Sequence, residues 1–302
     1  MQLRTQFGDL YLEDALPAIE EIIMSKYGQY EQVGDMVFNR KSSGKAIEQT
    51  TGISQLGRFA QTDEGTQHST DLFYQMYDKT YVHDKWTLGY ALTRELVDDD
   101  QFGLVEKFSG CIGKSAFDTR ETHAAEVLND AFNGTSFVGG DGLALCSASH
   151  TLVSGTDSNL LATAADLDIT SLQQATIEMA DTVDERGKLL NIKPKMVLVP
   201  AALEYVAYTI LNSTQLPGTA NNDINAVQKR QLMPMVWNYL TDPDAWFLLA
   251  DKGEHDLTWY DRDNLEMLSY EKPEVEGQVV YGRMRYSRGF NDWRGVFGTP
   301  GA

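Results

Sequence analysis

Cys146 and His150 stand four residues apart in Cys146-Ser-Ala-Ser-His150, the tightest pairing of a nucleophile with a base in the chain. A thiolate held by an imidazolium is an attacking group when one helical turn brings the two together. The surrounding residues are loop-forming and no third orienting group is evident, so a packed cysteine and a hydrogen-bonding histidine form the plainer expectation. A cysteine hydrolase is carried as a remote alternative. His68, His83, His123, His150 and His255 fall in no HxH, HExxH or CxxC arrangement, and no metal or cofactor is expected. Two cysteines, Cys111 and Cys146, exclude a four-cysteine zinc site and a disulfide-framed scaffold. Asp98-Asp-Asp100 could attract a hard cation, but three acids before a helix are explained by its dipole. Gly139-Gly-Asp-Gly142 matches neither GxxxxGK[ST] nor GxGxxG and reads as a turn. Arg283, Arg285 and Arg288 make a small basic patch, expected to meet acids of another subunit rather than nucleic acid.

The chain around these residues is acidic. Its 302 residues carry 25 Lys and Arg against 44 Asp and Glu, a formal charge of −19. Such a balance argues against wrapping nucleic acid, which needs clustered cations. With 42% hydrophobic and 23% charged residues the chain can bury a substantial core. No stretch approaches the ~20 apolar residues of a membrane span, and the first residues lack the apolar centre of a signal peptide.

Apolar positions at Leu16, Ile19, Ile22, Ile23 and Tyr27 predict a helix over residues 14–27. Residues 30–70 are polar and dotted with glycine, which reads as a long excursion. Alternation over Leu72–Arg94 predicts a strand of an extended ribbon, with Ile53–Phe59 as its antiparallel mate and Gln61–Gln67 as its tip. A helix over Gln101–Phe132, roughly 48 Å long, forms a strut that Asn133-Gly134 ends. A helix follows Asp168-Ile-Thr-Ser171. Lys195–Pro200 is a buried strand, and a helix opens at Pro200. Met235–Leu240 and Trp246–Leu249 read as neighbouring strands joined at Asp242-Pro243. Leu257–Tyr260, Leu265–Tyr270 and Val279–Tyr286 complete a strand-rich C-terminal part.

Gly142-Leu-Ala-Leu-Cys-Ser-Ala-Ser-His150 followed by Asn159-Leu-Leu161 carries a resemblance. So do Pro200-Ala-Ala-Leu-Glu204 with Ile210-Leu-Asn-Ser213, Asp244-Ala-Trp-Phe-Leu-Leu-Ala250, and Tyr286-Ser-Arg-Gly-Phe-Asn-Asp-Trp-Arg-Gly295. In this order and spacing they resemble the major capsid protein of tailed bacteriophages, of the Hong Kong 97-type fold, and more narrowly the Mu-like major head subunit family. The resemblance implies an α+β fold with an N-terminal arm (residues 1–30), an E-loop region (31–97), a peripheral domain with a spine helix (98–159 and 251–302), and an axial domain (160–250). It implies a non-enzymatic shell subunit whose copies form hexamers and pentamers of an icosahedral head around double-stranded DNA. Assembly would take place in the host bacterial cytoplasm and end in the virion. The expected partners are further copies of the chain, a separate scaffolding protein, a portal and decoration proteins. Lacking a long scaffolding segment before the arm, the chain is expected to depend on that separate scaffold. No crosslink through Lys79 or Lys85 is expected. An encapsulin-like nanocompartment is the alternative use of the same fold. If the ribbon lies across a neighbour, Arg58 and Phe59 of its mate strand and Asp63 and Glu64 at its tip, with Arg283 and Arg285, are the expected inter-subunit contacts.

Overall fold

Period-two segments pair into two four-stranded sheets and two short ribbons. In chain order the strands are β1 (Asn39–Ser42), β2 (Ile47–Ile53), β3 (Gln75–Val82), β4 (Asp84–Thr93), β5 (His150–Leu152), β6 (Gly155–Asp157), β7 (Met196–Val199), β8 (Met233–Val236), β9 (Trp246–Leu249), β10 (Thr258–Lys272), β11 (Gly277–Gly289) and β12 (Val296–Thr299). The computed structural model describes residues 19–93, 103–216, 223–272 and 277–302. The acids Asp98-Asp-Asp100 and the start of the N-terminal arm lie outside the described residues.

The first sheet has the order β1-β10-β11-β4. The predicted C-terminal strands merge into one long hairpin in which β10 runs antiparallel to β11, with irregularities between Asp261, Asp263 and Glu266. One face of this sheet carries Trp86, Met284 and Tyr286 into a core shared with the helix Leu104–Asn129. That helix has 26 residues, about 39 Å of rise, and is shorter at both ends than the predicted strut. Gly134 closes the turn after it with φ +60°, a conformation glycine adopts without steric cost. The helix over residues 19–28 packs against it so closely that a Cβ on Gly113 would lie 2.5 Å from the Ile23 carbonyl oxygen.

The second sheet has the order β12-β9-β7-β8. All four residues of β9 and of β12 are buried, as expected where both faces are covered. On one face lie the helices Ile169–Ala180 and Glu204–Asn212. On the other lies the core shared with the long helix. Asp168 caps the first of these helices reciprocally with Ser171. β7 separates β8 from β9, so the predicted neighbours around Asp242-Pro243 do not pair. The parallel β7–β8 pair needs a crossover, which the helix Glu204–Asn212 supplies. β12 pairs with β9, so Val296–Thr299 belong to the second sheet.

The ribbon is β2 against β3, in register from Ile47–Val82 to Ile53–Gln75. The predicted mate was displaced: Ile53 ends the paired strand instead of beginning it, and residues 54–74 form the excursion. The predicted single strand over Leu72–Arg94 is two. β3 belongs to the ribbon, and after His83 the chain enters the first sheet as β4.

Candidate assembly surface

Neither strand of the ribbon has a fully buried face. Ile47, Ile53, Leu56, Phe59, Leu72, Phe73, Tyr74 and Val82 are exposed, and Phe59 is as open as in an extended peptide (107% relative exposure). Eight large apolar side chains exposed along one ribbon and its excursion suit an interaction surface. The ribbon's base is nonetheless fixed. Arg186 donates to Asp71 Oδ2 at 2.6 Å and to the Leu72 carbonyl at 2.5 Å, with its guanidinium 4.7 Å over the Tyr74 ring. Lys188 donates to the Leu56 carbonyl at 3.2 Å. The Gly57 N–H bonds Asp71 at 2.7 Å and, with Arg186, lowers its pKa to about 2. A turn after the helix Ile169–Ala180 therefore holds the base, while residues 58–70 project beyond it.

Of the predicted contacts, Arg58, Phe59, Asp63 and Glu64 are together on this projecting segment and all exposed. Its only turn is pinned by Thr66, whose N–H and hydroxyl both donate to the Asp63 carbonyl. Arg283 and Arg285 lie elsewhere, on β11. Arg283 pairs with Asp263 of its own chain at 3.0 Å. Arg285 faces Lys85 across the β11–β4 ladder and has no ion-pair partner among the described residues. Arg288 points to the opposite face and pairs with Glu126 of the long helix. The three arginines are therefore not one patch, and two of them are neutralised within the chain. The Arg186 and Lys188 anchors were not singled out in the sequence; their partners lie over a hundred residues away.

The cysteine–histidine pairing does not form. Cys146 is buried, which pushes its thiol pKa well up. His150 is fully buried and faces Asp141 Oδ2 with Nδ1 at 2.6 Å and Asn159 Oδ1 with Nε2 at 3.1 Å. Asn159 is oriented by its own amide, which donates to the Leu145 and Val296 carbonyls at 2.7 and 3.0 Å. The histidine is thereby a structural member of a hydrogen-bonded knot joining the 139–150 loop, Asn159 and β12. Two glycines of that loop, Gly139 and Gly140, serve close packing: a Cβ on Gly140 would lie 2.4 Å from the Tyr77 Cβ. Among the described residues no group of three or more His, Cys, Asp or Glu could hold a metal ion. Nor is any helix there long and apolar enough to cross a membrane.

A model of the family described as phage capsid protein matches residues 77–298. Among solved structures, one from Microbacterium phage Oxtober96 superposes with a TM-score of 0.56 at 9% identity, covering 89% of this chain and 91% of that one. One from Mycobacterium phage Adephagia gives 0.52 at 11% identity, covering 92% and 89%. The capsid of Myoviridae phage XM1 gives 0.51 at 10% identity, covering 89% and 90%. At such identities the likeness is one of fold. No curated protein matches in sequence at a significant level.

Proposed function

Because this chain belongs to the phage capsid protein family, we propose that the ribbon β2–β3 and its projecting segment are the element by which one copy grips the next. The chain is a major capsid protein with a mixed helix-and-sheet, Hong Kong 97-type fold, and its copies build an icosahedral shell. The exposed apolar side chains Ile53, Leu56, Phe59, Leu72, Phe73 and Tyr74, set in a polar segment on a fixed base, carry the reading. Ordering such a segment costs backbone entropy that burial must offset, and the chain itself buries little of it.

Further features of the reading rest on the resemblance. Copies group into hexamers and pentamers, a separate scaffold, portal and decoration proteins complete the particle, and double-stranded DNA is packaged without sequence-specific contacts. By the same resemblance the subgroup is the Mu-like head subunits, and assembly takes place in the host cytoplasm. The charge of −19 per copy supports a wall that repels packaged DNA. The role is structural, with no catalytic step.

Negative-stain electron microscopy of the purified chain, beside its size-exclusion profile, tests the reading. Closed shells, tubes or capsomer rings are expected, and deletion of residues 61–67 should leave a folded subunit that assembles poorly. Normal particles from the deletion would remove the ribbon from its assigned role.

A further inference from the structure

In an acidic chain, a cavity lined by hydrogen-bond donors is the less ordinary feature, and one lies at the root of the ribbon. It has a volume of about 340 Å³ between Lys79–Val82 of β3, residues 136–138 and the end of β11. Lys79 is half-buried and spends one N–H on the Val138 carbonyl at 2.7 Å. Ser287, only 4% exposed, has a buried hydroxyl without a hydrogen-bond partner. Arg288 gives one nitrogen to Glu126, while its buried Nε–H has no partner. Asp84 is the single acid of the lining and is exposed. Burial alone lowers the Lys79 pKa, with no carboxylate acting to raise it. Lys79, Ser287 and Arg288 all belong to the lining of this cavity, and the last two each hold a buried polar atom that lacks an acceptor. Charge-assisted bonds to an oxyanion satisfy such a set best.

We propose that this cavity is a carboxylate receptor, and that the carboxylates it takes are Asp63 and Glu64 from the ribbon tip of a second copy of the chain. The proposal rests on the assembly reading above and names the receiving site. Asp63 and Glu64 are adjacent, exposed and without an ion-pair partner among the described residues. They sit at one end of the ribbon, and the donors sit at the other. A contact from the tip of one copy to the root of the next is head-to-tail, and repeated contacts of that kind give rings where the rotation between copies closes. Buried polar groups left unpaired in the subunit become paired on assembly, so the contact adds direction to the apolar grip of Phe59 and its neighbours.

The test uses full-length chains. Lys79→Met keeps the stem and removes the charge; Asp63→Asn with Glu64→Gln removes the tip carboxylates. Each variant should raise the protein concentration needed for assembly by roughly tenfold, with thermal unfolding of the unassembled subunit little changed. Combining all three changes in one chain should be no worse than either variant alone. An equimolar mixture of the two variant chains should recover part of the loss, because acidic tips of one then meet intact cavities of the other. Wild-type assembly by either variant, multiplicative losses in the combined chain, or a mixture no better than its parts would overturn the proposal. Should Lys79→Met fail to fold, Ser287→Ala removes only the unpaired hydroxyl and should give a smaller loss in the same direction. A wild type that makes no particles, but whose self-association in sedimentation still needs both partners, would sink the shell reading and leave this contact standing. Particles indifferent to the variants would do the reverse.

Discussion

His150 and Trp293 stack with their ring centroids 4.2 Å apart and their planes 8° from parallel, which ties the start of β5 to the closing segment before β12. The imidazole is at the same time held edge-on by Asp141 and Asn159. Two near neighbours in sequence and one distant ring therefore converge on one fully buried side chain.

Removing that side chain should be costly. His150→Ala leaves the Asp141 carboxylate buried without its partner, a loss of about 3–5 kcal/mol, whereas Asp141→Asn keeps a hydrogen-bonding group and should cost about 1–3 kcal/mol. Burial would raise the Asp141 pKa, but the bonds from His150 and the Leu143 N–H outweigh it and hold the pKa below the ordinary carboxylate value. The sign follows. Asp141 binds its proton less readily folded than unfolded, so its contribution is complete above pH ~4 and is lost as pH falls through the lower folded value. Urea unfolding of the wild type and Asp141→Asn should converge in strong acid and separate near neutrality; parallel curves would assign the stability elsewhere.

His255 acts over a higher window. It is buried, and burial, followed by nearby Lys252, lowers its pKa to about 4. Its Nδ1 accepts the Leu257 N–H at 3.3 Å, which requires the unprotonated nitrogen. The unfolded chain takes up a proton near pH 6.5 while the folded chain resists until about pH 4. Stability should therefore fall with pH across that interval, by up to about 3 kcal/mol. His255→Asn, whose side-chain oxygen can replace Nδ1 as the acceptor, should flatten this part of the profile. An unchanged slope would show that the proton is taken up at another site.

Some of this architecture was legible in the residues and some was not. Met196–Val199 and Trp246–Leu249 are unbroken apolar runs, and both are buried strands, because coverage on both faces leaves a signal that needs no partner to be seen. Ile47–Ile53 has exposed and half-buried residues in alternation, with no apolar stripe to fix its register, and the pairing was displaced accordingly. The change of partner at His83 leaves the alternation intact on either side, so two strands read as one. The start of the helix Ile169–Ala180 was legible, since its cap is local: Asp168 with Ser171 is visible in four residues. Its end was not: the apolar spacing reads on toward Gly187, and the helix stops at Ala180. The hold of Arg186 on Asp71 and Leu72 had no local signal, because only the folded chain brings them together. The residues from Gly142 to His150 and Asn159 carried the family resemblance. Their part in a buried knot needed coordinates, and the four-residue spacing from Cys146 pointed to chemistry that the fold does not assemble.

Arg285 separates folding from assembly. On β11 it stands directly across from Lys85 of β4, and on its other side from Asp263, whose carboxylate is taken by Arg283. Like charges opposite each other in a ladder are mildly destabilising, whereas opposite charges gain roughly 0.2–1 kcal/mol. Within the subunit, Arg285→Glu gains Lys85 on one side and faces Asp263 on the other, so thermal unfolding should be little changed. His83 reports the same change independently. Burial, followed by Arg285, lowers its pKa, so exchanging that cation for an anion should raise the pKa toward the ordinary imidazole value in an NMR titration. If Arg285 instead finds an acid on a neighbouring copy, the variant should lose particles in the electron microscope while its subunit remains folded. Loss of folding and assembly together would place the partner of Arg285 inside its own chain, and full assembly would remove it from the interface.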